Sequence, residues 1–225
     1  MTPAIRAEWR ERIAAEYTSA AITQHFVHWL MIAGAPPDLL DDGLAIVADE
    51  LVHARLSHEV FTAAGGGGAP ALEPSALALA RRSPDLIEDL AREGLRVFCI
   101  GETIAVPLFQ HLRAACSEPV ARAALDRILV DEVRHRDFGW DVLDWLIAAH
   151  GDRVVALVRA ELPTMATMLD AQYGLANEAV AADAPFDERA RAWGLAAPRD
   201  YADILRRAIE GEFRQRFATR NIPWP

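Results

Sequence analysis

The chain has 225 residues, of which 52% are hydrophobic and 25% are charged, a composition typical of a folded globular protein rather than a disordered one. Its 23 basic residues are all arginine and are outnumbered by 33 acidic residues, and the resulting net charge of −10 disfavours a nucleic-acid partner. Because there is no apolar run of membrane-spanning length and no signal-peptide core, we expect a cytoplasmic protein that does not bind membranes.

The first half of the chain shows helical periodicity and no strong strand pattern, so we predict an all-α protein. The first helix is predicted over residues 2–33, with Thr2 as its cap, and the second over 38–64. A Gly-Ala-Pro-Pro turn separates them, and four consecutive glycines end the second helix. A stretch rich in proline and alanine follows, with a short helical piece expected near residues 76–82.

Glycine and proline divide the second half of the chain into four further helical segments. We predict them over residues 83–115, 117–150, 152–173 and 199–218. The first of these should begin at Ser83-Pro84, and Asp152 should cap the third. Pro163 is expected to kink or break that third helix, and residues 174–184 are expected to form a loose connection.

The first four helices are long and fall into two pairs with a short connection inside each pair, so the members of a pair should be antiparallel neighbours. The linker between the pairs is long enough to run the length of a helix bundle. Two hairpins joined by one long crossover predict a four-helix bundle. We expect one domain over residues 1–225, with the bundle over about 3–150 and a C-terminal helical extension over about 152–225.

Two D-E-x-x-H motifs lie in the second and fourth predicted helices, at residues 49–53 and 131–135. Residues three apart share one face of a helix, so each motif directs a carboxylate and an imidazole to the same point. These donor types suit a transition-metal ion, and two ions would need further carboxylates from the other two helices. The motif pairs are Glu50 with His53 and Glu132 with His135.

The remaining two carboxylates can be selected by height, because residues at equal height in an antiparallel hairpin are equidistant from the turn. Pairing Glu16 with the first motif places the midpoint in the turn near residue 34, whereas Glu11 would place it inside a helix. The same arithmetic favours Glu102 over Glu93 for the second motif. Glu102 also lies in an apolar stretch, where an ionised carboxylate is costly to bury unless it is paired, coordinated or protonated.

The resulting pattern, a Glu followed by Glu-x-x-His and repeated once, resembles the ferritin-like non-haem di-iron proteins over about residues 3–150. The resemblance implies a ferritin-like bundle whose catalytic and metal-ligating residues are Glu16, Glu50, His53, Glu102, Glu132 and His135. It also implies that Asp49 orients His135 and that Asp131 orients His53, since a ligating histidine needs its second nitrogen anchored.

Both histidines are present, which favours an oxygen-activating enzyme over a storage ferritin, in which one is usually replaced. The resemblance therefore implies a di-iron oxidase or oxygenase that uses two iron ions, O2, an external electron donor and a small organic substrate. The reaction would be hydroxylation, N-oxygenation, desaturation or oxidative cleavage. An iron-handling ferroxidase or storage protein without an organic substrate is the alternative. The sequence leaves open a manganese–iron pair in place of two irons, and a homodimer.

Overall fold

The computed structural model describes residues 2–175, 178 and 185–225, and these residues contain helices but no strand. The all-α prediction is therefore confirmed for the described part of the chain. Within that part, none of the helices combines the length and the apolar character that crossing a bilayer requires.

The first two helices agree closely with the prediction. Helix α1 runs over Pro3–Ile32 and helix α2 over Pro37–Ala63, and both begin with proline, whose fixed φ and missing N–H suit the first turn. Gly34, with φ of +78°, reverses the chain between them, and the two helices pack against each other. Thr2 occupies the N-cap position of α1, as predicted, although its side chain makes no capping hydrogen bond.

The linker contains a short 3-10 helix at Pro74–Leu77, slightly earlier than expected, and the third helix begins at Leu86 rather than Ser83. Asp85 is its cap and accepts a hydrogen bond from the Ile87 N–H, while the Ser83 N–H binds the Asp89 carboxylate. Asp85 therefore satisfies one of the free amides of the first turn, while Asp89 binds an N–H that lies before the helix.

The third helical stretch changes its geometry along its length. It consists of α3 (Leu86–Glu93), a π-helical segment (Gly94–Glu102) and α4 (Thr103–Ala115). The sequence pattern predicts a continuous helix here and gives no sign of the π-helical turns. Glu102 is the last residue of the π-helical segment, so the change of geometry ends at a predicted metal ligand.

The next two helices are separated by one residue. Helix α5 runs over Pro119–His150 and helix α6 over Asp152–Gln172, with Gly151 between them at φ of +62°. Gly151 occupies the capping position that was predicted for Asp152, which lies instead in the first turn of α6. Pro163 lies inside α6 without ending it, so the helix is not broken there, and the kink that was the other expectation stays a prediction.

The C-terminal region is helical in short pieces: 3-10 helices at Glu188–Trp193 and Pro198–Asp200, α7 (Tyr201–Ala208), a π-helical segment (Ile209–Phe213) and α8 (Arg214–Ala218). The predicted last helix over 199–218 therefore corresponds to consecutive helical segments. The loose connection predicted over 174–184 falls mostly outside the described residues.

Contacts divide the chain into two compact units. The first unit comprises Met1–Arg82, Leu112–Asp131 and Asp187–Leu195, and the second comprises Ser83–His111, Glu132–Phe186 and Ala196–Pro225. The single-domain organisation stays a prediction.

The first unit is built on α1 and α2, with the start of α5 and the segment Asp187–Leu195. Two side chains of α1, an indole and a guanidinium, donate hydrogen bonds to main-chain carbonyls of that segment. Trp9 Nε1 donates to the Trp193 carbonyl at 2.9 Å, and Arg12 Nη2 donates to the Gly194 carbonyl at 2.7 Å. Ile13 of the same helix is among the buried apolar side chains of this unit.

The second unit is held by aromatic packing and by a close backbone approach. Phe98 and Phe138 meet edge to face at a centroid distance of 5.1 Å, and Trp224 stacks on Phe213 at 4.7 Å. Gly139 lies directly against Phe98, where a Cβ would come within 2.6 Å of the Phe98 carbonyl carbon. Glycine is therefore required at 139 for α5 to pack here.

Candidate metal centre

The first unit brings together the first predicted ligand set. Glu16 comes from α1, and Glu50 and His53 come from α2, where a spacing of three places them on one face. All three are buried, with exposed fractions of 8%, 2% and 0%. One ligand atom from each lies within 4.8 Å of the others, so together they form a group that can hold a metal ion.

The distances in this set fit one ion. His53 Nδ1 lies 3.6 Å from Glu50 Oε2 and 4.0 Å from Glu16 Oε2. Two ligand atoms that are each about 2.1 Å from the same metal are at most about 4.2 Å apart. Both separations satisfy this limit, so His53 Nδ1 can share one ion with each of the two glutamates.

His53 is anchored on its other nitrogen. Its Nε2 lies 3.0 Å from Asp131 Oδ2, a contact between two side chains that are both fully buried. This is the pair expected from the resemblance, and it leaves Nδ1 directed at the two glutamates. A carboxylate that accepts a hydrogen bond from one imidazole nitrogen sets the tautomer and the ring orientation of a metal ligand.

Two further residues of the first unit, which the motif pattern does not include, support this set. Arg127 Nη1 donates to Asp131 Oδ1 at 2.7 Å, and its Nη2 lies 3.5 Å from Asp49 Oδ1. Ser19 Oγ donates to Glu50 Oε1 at 2.9 Å. Arg127 precedes Asp131 by four residues on a helix, so its spacing was a signal that could have been used. For Ser19, the only signal in the sequence was its position three residues after Glu16 on the same helix.

The second unit holds a set of the same composition. Glu102 lies at the end of the π-helical segment, and Glu132 and His135 lie on α5. His135 Nδ1 is 3.8 Å from Glu132 Oε2 and 4.0 Å from Glu102 Oε2, and all three residues are buried. The prediction that Asp49 orients His135 concerns residues of different units and stays a prediction.

The two glutamates rejected by the height argument are engaged or exposed elsewhere. Glu11 is exposed on α1. Glu93 is buried, but its Oε2 accepts a hydrogen bond from Arg96 Nη2 at 2.6 Å. The arginine compensates the buried charge of Glu93, which is a structural role.

The donor chemistry of the two sets is that of a divalent transition-metal site. Each set combines two carboxylates and one imidazole, a mixture that suits iron, manganese and zinc. A bound cation would also offset the cost of burying two carboxylates side by side. The chain is therefore a helical protein with buried Glu and His groups that can bind metal ions and are compatible with a di-iron site.

Comparison of the chain with protein-family models, with curated proteins and with solved structures found no match.

Proposed function

We propose that the protein is an O2-activating non-haem di-iron oxidase or oxygenase with a ferritin-like fold, acting on a small organic substrate. The observation that supports this most directly is the repetition of one buried donor set. In each unit a histidine Nδ1 faces two glutamate carboxylates at 3.6–4.0 Å. A single Glu-x-x-His pair has little specificity, whereas the same arrangement built twice indicates two equivalent metal positions.

In this proposal one iron is held by Glu16, Glu50 and His53, and the other by Glu102, Glu132 and His135. Iron bound at such a site supplies the redox chemistry of O2. The external donor supplies electrons, since the sequence contains no nucleotide-binding motif for a flavin or nicotinamide.

The side chains around the ligands in the first unit have separate tasks. Asp131 holds the Nε2 proton of His53, which keeps the Nδ1 lone pair available for the metal. Ser19 holds Glu50 Oε1, so that Oε2 is the oxygen directed at His53. The burial of these groups excludes bulk water from the oxidising centre, which protects it from side reactions.

The proposal is tested by anaerobic loading with Fe(II), desalting and elemental analysis, followed by O2-uptake measurements. We expect about two irons per chain, and O2 uptake when the loaded protein is mixed with aerated buffer and a reductant. Glu102→Gln and His53→Ala should each lose at least one iron. Glu93→Gln is the matched control, because Glu93 is a buried carboxylate of the same helical stretch that pairs with Arg96. It should keep both irons.

Three outcomes would contradict the proposal. A wild-type chain that retains no iron would leave a metal-free helical scaffold, and Glu102→Gln would then stabilise it by removing a buried charge. Many irons per chain would indicate storage. Two irons with O2 uptake but no organic product in a broad substrate screen would indicate a ferroxidase.

A further inference from the structure

Helix α2 carries an exposed stripe on the side opposite its metal ligands. Its members follow each other at spacings of three and four residues, and all are exposed: Asp41, Leu44, Ala48, Leu51 and Arg55. We call these five residues the α2 stripe. The buried face of the same helix holds Ile46, Glu50 and His53. A three–four repeat of this kind is the spacing that helices use to pack along each other.

The stripe has an apolar centre and charged ends. Leu44 and Leu51 are large hydrophobic residues with 46% and 38% of their surface exposed. Asp41 lies at the N-terminal end and Arg55 at the C-terminal end, and neither forms an ion pair with any residue that the structure describes. An apolar surface flanked by opposite charges is characteristic of a protein contact.

We propose that the α2 stripe is a dimer interface that binds the same stripe of a second copy, antiparallel, about a two-fold axis at Ala48. This register places Leu44 of each copy beside Leu51 of the other. It also places Asp41 of each copy beside Arg55 of the other, so two equivalent ion pairs form. The contact is isologous, as a two-fold interface requires.

The charges of the α2 stripe indicate both the binding partner and the relative direction of the two helices. A parallel arrangement would place Asp41 against Asp41 and Arg55 against Arg55, which is repulsive. An anionic partner such as a nucleic acid or lipid surface would need several basic residues, and the stripe has one acid and one base. The small side chain of Ala48 at the axis allows the two helices to approach closely.

The expected dimer is of moderate stability. From Asp41 to Arg55 the stripe is about 21 Å long, at 1.5 Å per residue. One helix face of this length is smaller than the roughly 800 Å² per partner of a standard interface. Tyr17 of α1, which is 41% exposed and lines the same cavity as Arg55, can enlarge the contact. We therefore expect dissociation in the micromolar range, and the proposal does not depend on metal binding.

Exchanging the two charges in the full-length chain tests the register. The dimer dissociation constant of each variant is measured by sedimentation equilibrium at loading concentrations from about 1 to about 100 µM. Asp41→Arg and Arg55→Asp should each weaken dimerisation by about tenfold or more, because each places like charges together. The double variant Asp41→Arg/Arg55→Asp should return to within about threefold of wild type. Residues 41 and 55 are too far apart on one helix to interact within a chain, so recovery can only be intermolecular.

A second variant tests the apolar part of the stripe. Leu51→Glu should leave only monomer over the same range of concentrations. Met168→Glu is the matched control, because Met168 is a 64% exposed apolar residue on α6 of the second unit. It should leave the dimer intact. Thermal melts followed by circular dichroism should show that all variants are folded.

Wild-type protein that remains monomeric at the highest concentration would overturn the proposal. So would a dimer that Leu51→Glu does not weaken. A dimer weakened by both single charge changes but not recovered by the double variant would overturn the antiparallel register.

Discussion

Arg127 contacts an acidic residue from each of the two D-E-x-x-H motifs within the first unit. Its guanidinium donates to Asp131 at 2.7 Å and lies 3.5 Å from Asp49, and the side chain is about half exposed. Asp131 in turn holds His53. A chain of contacts therefore leads from the protein surface to a predicted metal ligand. A residue that never touches the metal can control it in this way.

Arg127→Gln should weaken metal binding at one of the two positions by about 10- to 100-fold, because Asp131 loses the anchor that fixes its carboxylate against His53. Titration with Co(II) against a chelating dye, with the stoichiometry and both affinities fitted, would measure this. Arg122→Gln is the control, since Arg122 is a part-buried arginine on the same helix whose Nη1 donates to the Cys116 carbonyl. Two unchanged affinities in Arg127→Gln would show that Arg127 has no role at the centre.

At the scale of the elements, two glycines inside helical stretches have different reasons for being there. Gly139 of α5 is required by contact, since an added Cβ would lie 2.6 Å from the Phe98 carbonyl carbon, an atom of the main chain. Gly101, in the π-helical segment, has only the Arg96 carbonyl oxygen at 3.5 Å from the same ideal position. A side chain at position 139 would therefore clash with the main chain, whereas position 101 has room for a methyl group.

Gly139→Ala should therefore lower the free energy of unfolding by about 1–3 kcal/mol, the usual cost of overpacking. Gly101→Ala should be neutral or stabilise by up to about 1 kcal/mol, because alanine orders the helix at a lower entropic cost. Urea denaturation of the two variants and wild type, followed by circular dichroism, compares them directly. Equal midpoints for the two variants would show that the close approach of α5 to Phe98 is relaxed in solution.

At the scale of the whole molecule, the absence of lysine simplifies alkaline titration. Between about pH 9 and pH 12 the side chains that can lose a proton are two cysteines and three tyrosines. Burial raises the pKa of the Cys99 thiol, which also donates to the Gly139 carbonyl at 3.1 Å. Burial, and the neighbouring Tyr201, raise the pKa of Tyr173 from 10.0 to about 12. Both shifts oppose ionisation in the folded state.

The shift at Tyr173 predicts a loss of stability between pH 10 and pH 12. The unfolded chain ionises Tyr173 near its ordinary pKa of 10.0, while the folded chain keeps the proton until about 12, so stability falls as the pH rises. Tyr173→Phe should remove about 1 kcal/mol of this loss at pH 11. Urea midpoints from pH 9 to pH 12 measure it, with Tyr17→Phe, a change of an exposed tyrosine, as the control. Parallel profiles for Tyr173→Phe and wild type would contradict the prediction.

The local pattern of the chain was sufficient for the helices and for grouping the ligands. Apolar spacing and the placement of proline and glycine located α1, α2 and α5 to within about two residues, because these signals act within a few residues of chain. Equal distance from a turn grouped Glu16 with Glu50 and His53, because antiparallel helices rise at the same rate from the turn.

Only the tertiary structure decided the features that depend on packing between distant segments. The π-helical turns before Glu102 are an example, since sequence periodicity does not separate them from an α-helix in a short apolar stretch. Another is the position of Arg127, whose Nη1 holds the Asp131 carboxylate that contacts His53 from 78 residues away. Residue type and spacing are properties of the sequence, whereas the distance between side chains on different helices is fixed only when the helices pack.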